Sequence, residues 1–167
     1  MLRFVCFAYF NAGLRFNLCG SILIPDSVTN IGLNTFKNCT SLTSIVIPNA
    51  VTSIDEYAFY GCNSLACVVI GDSVTSISDS AFENCTSLTS VQISNSVTNV
   101  GSSAFENCTS LTSVQISDSI TTIGKLAFFG CNSLTDVYYN RGRMDAYFYR
   151  FFKRSSHKRH HSLWLRT

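Results

Sequence analysis

Apolar residues return along this chain at one fixed interval, the step from Phe36 to Phe59. Phenylalanine keeps it at Phe36, Phe59, Phe82, Phe105 and Phe128, and cysteine at Cys39, Cys62, Cys85, Cys108 and Cys131. Leucine follows at Leu42, Leu65, Leu88, Leu111 and Leu134. Two further columns come next, Ile45, Val68, Val91, Val114 and Val137, then Ile47, Ile70, Ile93, Ile116 and Tyr139. The last pair is Val28, Val51, Val74, Val97 and Ile120 with Ile31, Ile54, Ile77, Val100 and Ile123. Seven columns run through five copies without an insertion, and the units 74–96 and 97–119 are near copies of each other.

A unit this short cannot bury its own apolar side chains, but stacked units bury them against the same residues of the neighbouring coil, which makes a solenoid. Leu88-Thr-Ser-Val91-Gln-Ile93 alternates inward and outward in its second half, as a strand does, and Thr, Val and Ile suit that conformation. Neighbouring coils are expected to pair in parallel at ~4.8 Å per coil. Asp or Asn with Ser follows the strand at Asp26-Ser27, Asp72-Ser73, Asn95-Ser96 and Asp118-Ser119, where such side chains favour a turn. A second extended piece is expected at 97–100, then a short helical turn at 102–107 with a Ser cap.

The unit V-x-x-I-G-x-x-A-F-x-x-C-x-S-L-x-x-V-x-I resembles the leucine-rich repeat of the BspA-like surface-antigen family over roughly residues 28 to 140, with Ala58-Phe59, Cys62 and Ser64-Leu65 at the family's offsets. The resemblance implies an α/β leucine-rich repeat solenoid of about five coils, with short parallel β-strands joined by short helical turns or 3-10 segments. It implies adhesion or recognition through a protein ligand, a cell-surface or secreted location, and no catalytic activity. The family uses Ile-Pro after the strand; this chain keeps Ile24-Pro25 and Ile47-Pro48, then has Gly71, Ser94, Ser117 and Asn140, which softens the turn.

At 167 residues with 46% apolar and 13% charged residues, the chain is expected to form one packed domain. The reading divides it into a degenerate N-terminal cap at 1–27, a solenoid at 28–140 and a basic aromatic tail at 141–167 that is partly disordered. The net charge of +2 hides a division. Residues 16–139 hold nine acidic residues against Lys37 and Lys125, while 141–167 hold eight basic residues and one Asp. The segment MLRFVCFAYFNAG meets the apolar-run requirement of a secretory signal only marginally, and half a coil is visible behind it at Phe16, Cys19, Ile22 and Ile24, so a capping role is expected. No run of 18 apolar residues exists, so no membrane-spanning helix is expected.

The tail has two readings. Tyr147, Phe148, Tyr149, Phe151, Phe152 and Trp164 with Arg150, Lys153, Arg154, Lys158 and Arg159 suit an arm that targets the acidic solenoid to nucleic acid or an anionic membrane. The favoured alternative is an aromatic cap on the last coil followed by a solvated end, which makes nucleic acid an unfavoured partner. His157, His160 and His161 sit among positive charges without a carboxylate or thiol nearby, so no metal site is expected. The ladder cysteines are expected to be buried free thiols acting as small hydrophobes, since parallel side chains do not face each other. Cys67, in place of a serine on the outward face, is the reactive exception. Asn38, Asn84 and Asn107 head Asn-Cys-Thr sequons, all in one repeat column, so they are either glycosylation acceptors or one repeat feature copied three times.

Without a histidine in the repeats, serine or cysteine nucleophiles have no base there. Gly32, Gly101 and Gly124 share a column and read as turn glycines rather than a phosphate loop. No enzyme activity, cofactor or metal is expected. What remains is a surface: the outward strand columns place Thr43, Ala66, Thr89, Thr112 and Thr135 beside Val46, Val69, Gln92, Gln115 and Tyr138, and these are the candidate protein-binding residues. Ser44, Cys67, Ser90, Ser113 and Asp136 run between them. Tyr138 is the one residue of these columns with the character of an interaction anchor.

Overall fold

The computed structural model describes residues 20–139. Within them, each unit makes one longer and one two-residue strand, as the alternation of inward β-branched residues dictates. The longer strands are β1 (Gly20–Leu23), β3 (Leu42–Val46), β5 (Cys67–Val69), β7 (Ser90–Gln92), β9 (Ser113–Ile116) and β11 (Asp136–Tyr139). They form a six-stranded sheet in that order. The short strands β2 (Asn30–Ile31), β4 (Ser53–Ile54), β6 (Ser76–Ile77), β8 (Asn99–Val100) and β10 (Thr122–Ile123) form a five-stranded sheet. Every pair is parallel, and partners such as Val91↔Val114 and Ile54↔Ile77 stand one repeat apart. The chain is a parallel-strand solenoid in which each residue sits on its own counterpart.

The third side of each coil departs from expectation. The segment 102–107, read as a helical turn with a serine cap, is a succession of turns, and there is no helix among the described residues. Ser103 and Asn107 take left-handed φ values of 54° and 58°. Two left-handed residues four apart cannot belong to a right-handed helix. Their effect is to aim alternate N–H groups at the next coil: Ser103, Phe105 and Asn107 donate to the carbonyls of Lys125, Ala127 and Phe129 at 2.9, 2.7 and 2.7 Å. The residues between turn back locally, with Glu106 donating to Ser103 O at 3.0 Å and Cys108 to Phe105 O at 3.3 Å. The same pattern occurs at Asn34, Phe36 and Asn38 one end away. All three sides of the solenoid are therefore hydrogen-bonded from coil to coil.

The core fills the space between these sides. Phe36, Phe59, Phe82, Phe105 and Phe128 form one stack with ring centroids 5.0–5.2 Å apart and planes within 13°. Phe82, Cys85, Leu88, Val91 and Ile93 are all buried, as their register requires. The thiols of Cys62, Cys85, Cys108 and Cys131 donate to the carbonyls of Phe36, Phe59, Phe82 and Phe105, each 26 residues back, at 3.0–3.2 Å. Four ladder cysteines are thus free and buried, as expected. Cys39 corrects that expectation, because it is disulfide-bonded, and not to any of the free cysteines at 62, 67, 85, 108 and 131. The backbone carbonyl 26 residues before Cys39 belongs to Gly13, outside the described residues. Residues 1–19 of the expected N-terminal cap, the C-terminal tail and the histidines lie outside the described residues, while the rest of the cap supplies β1, paired with β3.

Two outcomes follow from this packing. Leu88→Ala opens a cavity between stacked coils and is expected to lower unfolding free energy by about 2–5 kcal/mol, whereas Val46→Ala, at a position 60% exposed, should change it by at most about 0.5 kcal/mol. Urea titrations of the two variants check the difference. Burial pushes the Cys62 and Cys131 thiols from 9.0 up to about 12. A folded-state value above the unfolded one gives stability that is intact below pH 9 and is lost as pH rises from about 9 towards 12, since the unfolded chain releases these protons first. Urea midpoints measured between pH 7 and 11 should fall above pH 9, and Cys62→Ala with Cys131→Ala should flatten that fall.

Candidate functional site

The six-stranded sheet presents one ordered outward face of the described residues. Strand alternation points Ser44, Cys67, Ser90, Ser113 and Asp136 outward in one register-matched row. Two residues on, Leu23, Val46, Val69, Gln92, Gln115 and Tyr138 form a second outward row. Of this row Leu23 is 90% exposed, Val46 60%, Val69 52% and Tyr138 59%. The face therefore carries an apolar stripe at one end, two amides in the middle and a tyrosine at the other end. Leu23 is missing from the sequence-based set, although it precedes Val46 by one period.

Thr43, Ala66, Thr89, Thr112 and Thr135 lie where the chain enters these strands, with Ala66 half-buried and the four threonines exposed. Their hydroxyls are not free polar groups of the surface. Thr89 Oγ1 donates to Ala66 O, Thr112 Oγ1 to Thr89 O and Thr135 Oγ1 to Thr112 O, at 3.0–3.3 Å. The backbone N–H of each donates to the same carbonyl. A second ladder runs Thr52, Thr75, Thr98 and Thr121, each hydroxyl bonded to the threonine carbonyl one coil earlier. Threonine in these columns ties coils together. The invariant spacing of the second ladder is plain in the sequence, yet its hydrogen-bonding role needs the coil geometry to be seen.

The turn side carries different chemistry. Lys37 Nζ lies 4.9 Å above the Tyr57 ring and 5.1 Å above the Tyr60 ring, and the two rings meet edge to face at 5.7 Å. One of the two described cations is thus held by aromatic faces. The sequon asparagines lie here too. Asn38 is exposed, while Asn107 Nδ2 donates to Asn84 Oδ1 at 3.2 Å and Asn84 Nδ2 to Glu83 Oε1 at 3.3 Å. All three have φ near 60°, and the same column holds Gly61 and Gly130 at 69° and 75°. Asparagine and glycine tolerate this conformation best, which accounts for the asparagine of the repeated sequon by backbone geometry.

Among the described residues no three His, Cys, Asp or Glu side chains are placed to hold a metal ion. No described helix is long and apolar enough to cross a membrane.

A family model described as a BspA type leucine rich repeat region, in six copies, matches residues 15–154. Among solved structures, the leucine rich repeat protein TpLRR of T. pallidum is similar at 29% identity and a TM-score of 0.70, over 71% of this chain and 58% of its own. A leucine rich cell surface protein of Faecalibacterium prausnitzii is similar at 28% identity and a TM-score of 0.71, over 84% of this chain and 35% of its own. A leucine-rich repeat protein of Bacteroides ovatus is similar at 37% identity and a TM-score of 0.61, over 71% of this chain and 36% of its own. The chain spans between about a third and three fifths of these proteins' lengths. No curated protein matches it significantly.

Cys67 gives the face a chemical handle. It is exposed, whereas burial pushes the ladder thiols up and keeps them protonated. In the folded protein at pH 8, a maleimide should label Cys67 at least about a hundredfold faster than Cys62, Cys85, Cys108 and Cys131, as read by peptide mass spectrometry. Equal rates without denaturant would place the ladder thiols outside the core.

Proposed function

This chain belongs to the BspA-type leucine-rich repeat family, and we propose on that premise that it is a non-enzymatic scaffold that binds a protein across its six-stranded sheet. The role is adhesive or recognition-related and is carried out at a cell surface. The observation that carries this reading is the outward row in which Leu23, Val46 and Val69 leave apolar side chains in solvent on adjacent strands, with Tyr138 at the far end. A contiguous apolar stripe bordered by polar rows is the pattern of a protein contact surface, and tyrosine is a favoured anchor in one. The threonine row beside it is stiffened by its own hydroxyl bonds, so a partner meets a surface that loses little conformational freedom on binding. The Faecalibacterium protein is described as a cell surface protein, and a pneumococcal protein that shares the fold at 15% identity is described as a vaccine antigen. The first supports a surface location.

The test is surface plasmon resonance of the purified chain against a panel of matrix and serum proteins. Val46→Lys combined with Val69→Lys is expected to weaken any specific binding at least about tenfold with an unchanged thermal midpoint, because charges replace the apolar centre of the contact. Glu83→Lys on the turn side should leave it intact. Binding that falls steeply with salt and is lost on replacing Lys153, Arg154, Lys158 and Arg159 by serine would instead place the activity in the basic tail.

A further inference from the structure

The coil-to-coil ladder of the strand face is interrupted between β5 and β7. Val46 pairs with Val69 between β3 and β5, and Gln92 with Gln115 between β7 and β9, but pairing between β5 and β7 stops at Val68↔Val91. The next backbone bond shows the same interruption. Ile47 N–H donates to Val69 O at 2.9 Å and Ile93 N–H to Gln115 O at 3.4 Å, while among the described residues Ile70 N–H makes no such bond to Gln92 O.

The chain also changes in residue type next to this gap. Gly71 stands where the preceding coils have Pro25 and Pro48, and it rests so closely on the coil below that a Cβ there would come within 2.5 Å of Pro48 O. Only glycine permits that approach. The coil that follows carries Ser94, and the gap between the two is a cleft of about 480 Å³ opening on the strand face. Val69, Asp72, Gln92, Ser94, Asn95 and Gln115 line it. Ser94 is 7% exposed and its hydroxyl has no hydrogen-bond partner. Ser117, in the same column, also lacks a partner, but the strand pairing around it is intact. Within the described residues Asp72 O accepts from the Ser96 hydroxyl and Asp72 N–H donates to Asn49 Oδ1 at 2.9 Å, while no group donates to the Asp72 carboxylate.

The cleft thus gathers acceptors: a carboxylate, the unbonded Gln92 main-chain oxygen, a buried hydroxyl and three amide oxygens. The described residues hold nine acidic side chains against two lysines, and neither lysine lines the cleft. We propose that this cleft is the pocket for an arginine side chain of the protein that lies across the strand face. The inference rests on the strand-face reading of function and assigns it a point of specificity. A planar guanidinium brings five donors to a set of converging acceptors and leaves its methylene stem against Val69. The cleft falls within the range of about 300–1,000 Å³ usual for ligand pockets.

The probe is N-acetyl-arginine methylamide, titrated at millimolar concentration into the ¹⁵N-labelled chain. Saturable shifts are expected at the Ile70 amide and at the side-chain amides of Gln92, Asn95 and Gln115, weakening as salt is raised. Asp72→Asn, the residue already present at Asn49 and Asn95 in the same column, should keep a dispersed spectrum and lower the apparent affinity about three- to fivefold. Asp136→Asn, on the same face outside the cleft, should not change it. Non-saturating shifts, shifts spread over Glu83 and Glu106, or an affinity indifferent to Asp72→Asn overturn the proposal. Equal or tighter saturation of the same resonances by methyl glucoside overturns it in favour of a neutral polyol. The measurement needs no protein partner, so its failure is separate from failure of the strand-face reading, which the Val46 and Val69 variants address.

Discussion

Everything in this solenoid depends on one constraint: each coil must present the same backbone donors and acceptors, at the same height, as the coil before it. The phenylalanine stack at 5.0–5.2 Å sets that height, and three hydrogen-bonded sides hold it. One circuit of the coil returns each residue to its counterpart, so an apolar column is a vertical line of like side chains. Burial and hydrogen bonding then favour the same register. A slip by one residue would turn Val91 outward and Gln92 inward while also misaligning every ladder, which is why the columns tolerate almost no variation in chemical type.

The side chains that are not hydrophobic are recruited into the same constraint. Threonine hydroxyls donate one coil back, and buried thiols donate to phenylalanine carbonyls 26 residues back. The thiol bond answers an obvious objection to cysteine in a core column, because a buried S–H is given an acceptor while its sulfur still packs as a small apolar group. Desolvation, the largest influence on all four free ladder thiols, holds them in the neutral form that can donate. The columns that look merely polar in the sequence are part of what fixes the coil spacing.

The sequence discloses the solenoid, its register, its buried columns and its outward rows, because one period repeated five times without an insertion leaves little choice of partner for each residue. It misleads on the turn side, where Ser102 to Asn107 offers a serine cap and ordinary helix formers. Local preference there loses to the demand that alternate N–H groups reach the next coil, which forces Ser103 and Asn107 into left-handed geometry. The column Asn38, Gly61, Asn84, Asn107, Gly130 carries a signal for one of the two left-handed positions, since Asn and Gly favour that geometry, while the other column, with Tyr57, Ser103 and Leu126, carries none. The change from Pro48 to Gly71 to Ser94 reads in the sequence as a softer turn. The gap in the strand ladder beside it depends on how far one coil settles onto another, which no single-residue preference encodes.

The vertical repetition of bonds has a bearing on how such a chain changes over generations. Units 74–96 and 97–119 are almost interchangeable, and each meets the other as a near copy of itself. Slippage or unequal exchange between such stretches of coding sequence adds or removes one whole coil and leaves each remaining hydrogen bond with an equivalent acceptor. Length is consequently a trait that can drift with little effect on folding. The outward column Val46, Val69, Gln92, Gln115 and Tyr138 changes in residue type from coil to coil without touching any of these bonds.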